Sequence, residues 1–318
     1  MPLFRARHLW LFAPALLLAA VWCTRDGSGL ATRRLHGAGE PLAIGRQGAP
    51  APAFDYKEAH AQARERSAAI LPVPVADQGS DFDGQSNLYR YALQLKSAAD
   101  GGDAQASWRL SRVYDYCTGY AVDPVGYQAD DLMVAQGASA GMRAMLAARG
   151  RVAQRCAGFS SSDGLDVQAV TLQRLRAAEA GSLAAEAALL AQGKPLDESP
   201  DYRRALVQRV LASRDPEAYL ALSAAMGTVA SGDGAYRGYV AGTQFSQLAW
   251  QLAACRLGLD CGADSPLMTS YCANGGICSQ DSSQDFASFV FDAAVSRQGA
   301  GALDDMVSTL VKGSGGST

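Results

Sequence analysis

"KSAADGGDAQASWRL", residues 96–110, reads as the end of one helix, a tight corner and the start of the next. Small residues crowd that corner for a physical reason. Where two antiparallel helices meet across a short turn, Ala lets the backbones approach, and Gly relieves the steric cost of a left-handed residue. Asp or Ser then caps the exposed N–H groups of the following helix. The larger residues beyond the corner, Trp108, Leu110, Val113 and Tyr114, are expected to fill the space between one hairpin and its neighbour.

Similar corners recur along the chain. Gly137-Ala138-Ser139 separates "QADDLMVAQ" from "AGMRAMLAARG", and Gly181-Ser182-Leu183 separates "VTLQRLRAAEA" from "AAEAALLAQG". Arg214-Asp215-Pro216 separates "YRRALVQRVLAS" from "EAYLALSAAMG". With Asp103, Ala138, Ser182 and Asp215 as equivalent points, the spacings are 35, 44 and 33 residues. Recurrence at about 34–36 residues is the signature of stacked helix-turn-helix units. The longer middle interval contains "GRVAQRCAGFSSSDG", residues 150–164, read as an inserted loop. The alternative is an alanine-rich helical bundle with irregular spacing. The expected fold class is all-α: a short α-solenoid of degenerate helix-turn-helix repeats with a disulfide-rich C-terminal helical lobe.

The stretch "AADGGDAQASWRLSRVYDYCTGYAVDP" resembles a Sel-one-like repeat, a relative of the tetratricopeptide repeat. The resemblance rests on Ala98, Ala99, Gly102, Asp103, Ala106, Leu110, Tyr114, Gly119, Val122 and Asp123. "RAAEAGSLAAEAALLAQG" matches more weakly, through Ala177, Ala178, Gly181, Ala185 and Leu189. The unit over residues 203–227 is weaker still, with Arg214 where Gly belongs. The resemblance covers residues 88–227 and implies a short α-solenoid used for protein contacts.

Composition narrows the partners. The 318 residues are 48% hydrophobic and 19% charged, with a formal net charge of −3. Such a balance suits a folded soluble chain. The first 54 residues hold six arginines and two acids, which leaves 22 basic and 29 acidic groups beyond them and a net charge of −7. A nucleic-acid binder needs a basic stripe to replace counterions, and none is visible, so no nucleic-acid partner is expected.

Targeting is written at the N-terminus. Arg5 and Arg7 precede "LWLFAPALLLAAVW", residues 9–22, a run without charge. A membrane span needs about 20 apolar residues, and a shorter run is typical of a signal-peptide core. Residues 1–23 are therefore expected to be a signal peptide or a retained N-terminal membrane anchor. Cys23 suggests lipidation, although Val21 and Trp22 stand where a lipobox requires small residues. The expected location is the periplasm, either free or anchored to the inner membrane and facing it. Residues 24–53 read as a flexible linker, and residues 54–87 as a helix and loop stopped by Pro72 and Pro74. Residues 88–240 carry the repeats, 241–297 a cysteine-rich helical lobe, and 298–318 a C-terminal helix with a disordered tail.

Beyond Cys23 there are six cysteines: Cys117, Cys156, Cys255, Cys261, Cys272 and Cys278. An even count in an exported chain reads as disulfides. Cys117 lies fourteen residues after Asp103 and Cys156 eighteen after Ala138, so both fall near the far ends of second helices and are expected to pair. Among the last four, three pairings are open, with Cys255–Cys261 and Cys272–Cys278 preferred. "CRLGLDC" and "CANGGIC" place Gly258 and Gly275 alike, where a helix can end in a left-handed turn. Five-residue gaps do not match the close ligand pairs of structural zinc sites, so no metal and no cofactor is expected.

The histidines are His8, His36 and His60, and residues 61–318 contain none. A nucleophile–histidine pair is thus hard to assemble. Asp130, Asp131, Glu179 and Glu186 are candidate carboxylates for a periplasmic hydrolase, the alternative function. "GDGAYRGYVAG", residues 232–242, lacks the Lys-Ser/Thr ending of a phosphate loop and reads as a plain loop, with Tyr236 and Tyr239 available to a surface. The preferred expectation is a non-enzymatic module that binds a protein or peptide of the cell envelope in a solenoid groove. Trp108, Arg109, Tyr114 and Arg143 are its candidate anchors, since aromatic and Arg side chains dominate such contacts.

Overall fold

The structure is a computed structural model that describes residues 80–137 and 139–312. The expected signal or anchor, the linker, the helix over residues 54–71 and the end of the tail (313–318) lie outside the described residues. Among the described residues every regular element is a helix, so the chain is all-α.

Helices start where capping side chains stand. A single turn, α1 (Ser80–Asp83), leads to α2 (Leu88–Asp100), α3 (Ala104–Ala121) and α4 (Pro124–Ala135), whose first turns are capped by Asn87, Asp103 and Asp123. Ser139, Asp166 and Ser182 cap α5 (Ala140–Cys156), α6 (Val167–Glu179) and α7 (Leu183–Ala191). Ser199 and Asp215 cap α8 (Pro200–Ser213) and α9 (Pro216–Leu222), each with Pro in the first turn. After two short 3-10 turns come α10 (Gln244–Arg256), α11 (Pro266–Ala273), α12 (Phe286–Ala293) and α13 (Arg297–Lys312). Each such cap is worth about 1 kcal/mol.

The corners at residues 98–103 and 177–182 are built alike. Gly102 and Gly181 are left-handed, with φ of +89° and +99°. At the first, the Asp103 N–H donates to Ala98 O (3.0 Å) and Gly102 N–H to Ala99 O (3.1 Å); at the second, Ser182 N–H donates to Ala177 O (2.8 Å) and Gly181 N–H to Ala178 O (2.9 Å). These bonds satisfy the last carbonyls of the preceding helix. Arg214, standing where the pattern wants Gly, also adopts a left-handed φ of +54°. Gly137 does not, and α4 ends at Gln136 in ordinary helical conformation.

That difference changes the register. α2 pairs with α3 and α6 with α7, and α3 lies along α6, with Arg174 bonded to Asp115 at 2.7 Å. The α4–α5 hairpin does not intervene in this contact; it packs through α5 against α2, α3 and α11. The corner at 137–139 is therefore not equivalent to the others, which corrects the four-corner register. The difference shows in α4, which buries only Tyr127 and leaves the apolar side chains of Val125, Leu132 and Met133 uncovered, so no second hairpin stacks on it among the described residues. The expected insertion at 150–164 is also shorter than read: residues 150–156 belong to α5, and the loop begins after Cys156.

Two apolar cores result. One joins α1 to α5, and the end of α11, around Leu88, Leu110, Val113 and Val152. The other joins α6 to α13 around Leu206, Tyr219, Trp250, Phe286 and Leu303. Each of these side chains contributes about 1.5–3 kcal/mol by burial. The cysteine-rich segment is divided between the two cores: Leu257, Leu259 and Met268 share the second with α7–α9, whereas Cys272 and Ala273 of α11 lie in the first.

Three disulfides tie the helices, Cys117–Cys156, Cys255–Cys261 and Cys272–Cys278, with Cα separations of 5.6, 5.7 and 4.4 Å. The first joins the ends of α3 and α5, as their positions in the sequence anticipate. Gly258 is left-handed after α10 (φ +113°), whereas after α11 that role falls to Gly276 (φ +68°) and not Gly275. Asn274 and Gly275 continue the helical turn by donating to Ser270 O and Tyr271 O, which shifts the reversal by one residue. Three bridges of this kind belong to an oxidising, exported environment. Among the described residues no helix is long and apolar enough to cross a membrane.

Candidate functional site

Four α2 residues, Tyr89, Ala92, Leu93 and Lys96, repeat at helical spacing and present one face. Opposite them stand Tyr114 of α3 and Phe159, Asp163 and Leu165 of the loop after α5. Together they line a cleft of about 100 Å³. Its floor is aromatic: Phe159 meets Tyr89 edge-on at 5.1 Å between centroids and Tyr114 at 6.4 Å. Contacts of this kind add about 0.5–1.5 kcal/mol each beyond burial. Leu93 keeps 56% of its surface exposed at the rim, an apolar edge without cover.

The loop is shaped to deliver Phe159. Gly158 lies so near Tyr89 that a Cβ there would come within 2.5 Å of the ring. A tight turn follows, in which the Ser160 N–H and hydroxyl both donate to Asp163 Oδ2, at 2.7 and 2.9 Å, and the Asp163 N–H donates back to Ser160 O at 3.0 Å. Lys96 and Asp163, both exposed, set opposite charges at the mouth. Burial pushes the Tyr114 phenol above its ordinary pKa, and the charges of Asp100 and Asp163 push the same way, so it stays a neutral hydrogen-bonding group. Such a cleft suits one apolar or aromatic side chain with a polar tip.

The four expected anchors do not converge. Tyr114 lines the cleft. Trp108, two turns earlier on α3, points elsewhere: it is 4% exposed, packs in the α6–α13 core, and its indole N–H donates to Glu217. Trp108 is therefore a core residue and not a surface anchor. Arg109 is half-buried and Arg143 exposed on α5, and neither lines the cleft.

The candidate carboxylates are likewise dispersed. Asp130 and Glu179 are exposed, and Asp131 is bound by Arg149. Glu186 accepts from Arg209 at 2.9 and 2.5 Å and from the Tyr202 hydroxyl at 3.0 Å, so both its oxygens are engaged. None of these four acids lines the cleft of Tyr89, Tyr114 and Phe159. Tyr236 packs in the core, and Tyr239 lies under the Arg204 guanidinium at 5.5 Å. Among the described residues no group of three or more His, Cys, Asp or Glu is placed to hold a metal ion.

A second polar centre escaped the sequence reading. Glu217 of α9 binds both Arg112 and Trp108 of α3, and Arg112 also faces Asp83 at 3.8 Å. Burial holds the Asp83 carboxyl up at about 6, against the lowering effect of Arg112. These residues come from distant parts of the chain, so no local motif announces them. No family model, curated protein or solved structure matches the chain.

Proposed function

We propose that this chain is an exported, non-enzymatic binding module of the cell envelope, periplasmic or held at the inner membrane by its N-terminus, and that it engages a protein or peptide. We further propose that α2–α3, α6–α7 and α8–α9 form a short, degenerate Sel-one-like stack. The shared corners at Gly102 and Gly181 and the direct contact of α3 with α6 support that reading. The observation that carries the function is the aromatic cleft of Tyr89, Tyr114 and Phe159, whose volume fits one inserted side chain.

The test is a titration of partners recovered from envelope extract against the wild-type chain and Tyr114→Ala. A true cleft ligand loses at least about tenfold in affinity, as expected for an aromatic anchor, at unchanged helical content by circular dichroism. Equal affinity for both proteins removes the cleft from the account.

A further inference from the structure

Phe82 is held on several sides. Its ring is 3% exposed, with the Arg112 guanidinium 4.3 Å and that of Arg155 5.1 Å from its centroid. Tyr116 meets the ring edge-on at 5.9 Å. Arg155 also donates to three carbonyls along the segment, those of Phe82 (2.6 Å), Asp83 (3.4 Å) and Gln85 (2.9 Å). Arg112 faces the Asp83 carboxylate. The groups recognised are a stretch of backbone, one aromatic ring and one carboxylate, which any chain with the same short phrase carries.

The receiving surface is built without this segment. Tyr116 and Arg155 directly precede Cys117 and Cys156, so the disulfide between α3 and α5 fixes them side by side. Glu217 holds Arg112 from the far side. Segment 80–86, by contrast, is one helical turn and a loop, ending where Asn87 begins to cap α2. A preorganised cradle around a short, backbone-gripped segment is the arrangement of a receptor with its peptide.

We propose that the cradle of Arg112, Tyr116 and Arg155 is a recognition site for a partner segment bearing phenylalanine followed by an acidic residue, and that residues 80–86 occupy it in cis. The proposal rests on the reading of the chain as a peptide-binding module and gives that partner its chemistry. A tethered occupant acts at an effective concentration in the millimolar range, so the cis segment keeps weaker ligands out until it is displaced.

The experiment uses the full chain and a fluorescent peptide of residues 78–87, QGSDFDGQSN, followed by anisotropy. The variant Phe82→Ala, which vacates the ring site, should bind the peptide at least about tenfold more tightly than the wild type. Adding Arg155→Ala or reducing the disulfides should abolish that gain. Absence of binding to a folded Phe82→Ala protein overturns the proposal. Should that variant not fold, hydrogen exchange on the wild type decides: residues 80–86 must open at least about tenfold faster than the interior of α3. Equal protection of the two means that the segment is inseparable core, and the proposal fails. The peptide and these variants share no residue with Tyr89, Tyr114 and Phe159, so either site can fail alone.

Discussion

The corners at Gly102 and Gly181 share a left-handed glycine and the same pair of backbone bonds, and the hairpins they form lie against each other through α3 and α6. The corner at Gly137 has the same small residues but neither the left-handed glycine nor that contact. Small residues therefore make a corner, but they do not choose its neighbour. The choice is made by the outgoing helices: α3 buries Trp108, Leu110, Val113 and Cys117 on more than one side, whereas α4 buries only Tyr127.

Several changes would break or sharpen that contrast. The largest effect is expected at Glu217, whose carboxylate joins α9 to Trp108 and Arg112 of α3. Glu217→Ala removes a buried carboxylate and leaves the largely buried Arg112 guanidinium and the buried Trp108 indole N–H without it, and should cost about 3–5 kcal/mol in urea denaturation. In the hairpin, Asp131→Ala removes a half-buried carboxylate from the buried Arg149, which keeps its bond to Tyr127 O at 2.7 Å and its place over the Tyr127 ring, and should cost less, about 1–2 kcal/mol. Equal costs would mean that stack and hairpin are held alike.

Next comes the bridge between α3 and α5. Replacing Cys117 and Cys156 together by Ala should cost about 2–4 kcal/mol. Hydrogen exchange should rise first in α4 and α5 while the 98–103 and 177–182 corners stay protected. A uniform rise across the chain would contradict a separately tethered hairpin.

Glycines give a finer comparison. Gly102→Ala and Gly181→Ala each force a side chain into the left-handed region, at about 1–2 kcal/mol. Gly137→Ala should cost less than about 0.5 kcal/mol, because its added methyl meets only the flexible side chain of Met142. Thermal unfolding of the three variants ranks them directly.

The smallest effect is one of pH. Burial raises the Asp83 carboxyl to about 6 in the folded chain, while Arg112 and Arg155 oppose the rise and Asp260 and Glu217 add to it. A folded-state value above the unfolded one means that the native state takes up the proton, so stability increases as pH falls from 7 towards 5. Asp83→Asn should flatten that slope. A wild-type stability that declines over the same interval would assign the titration to other groups.

Much of this was legible in the sequence because it is local. Helical periodicity points to the all-α class, the small residues around Gly102 and Gly181 to left-handed corners, and the positions of Cys117 and Cys156 near helix ends to their pairing. What stayed hidden depends on helix phase and on distant contacts. Trp108 and Tyr114 are both large residues on α3, yet their different rotation about the axis puts one in the core and the other in the cleft. Spacing alone could not show that α3 passes over the α4–α5 hairpin to reach α6. Phe82, Arg112, Arg155 and Glu217 share no motif, since the fold alone brings them together.

The contact of α3 with α6 is the point on which the rest depends, and Asp115 and Arg174 mark it at 2.7 Å. A double variant, Asp115→Cys with Arg174→Cys, treated with a short thiol-specific cross-linker and mapped without reduction, tests it. A linked pair of peptides carrying residues 115 and 174, with the three native disulfides intact, is the result expected of directly apposed helices. No such link, and instead a link readily formed from residue 115 to a cysteine placed at exposed Asp130 on α4, would restore the four-corner register and dismantle the present one.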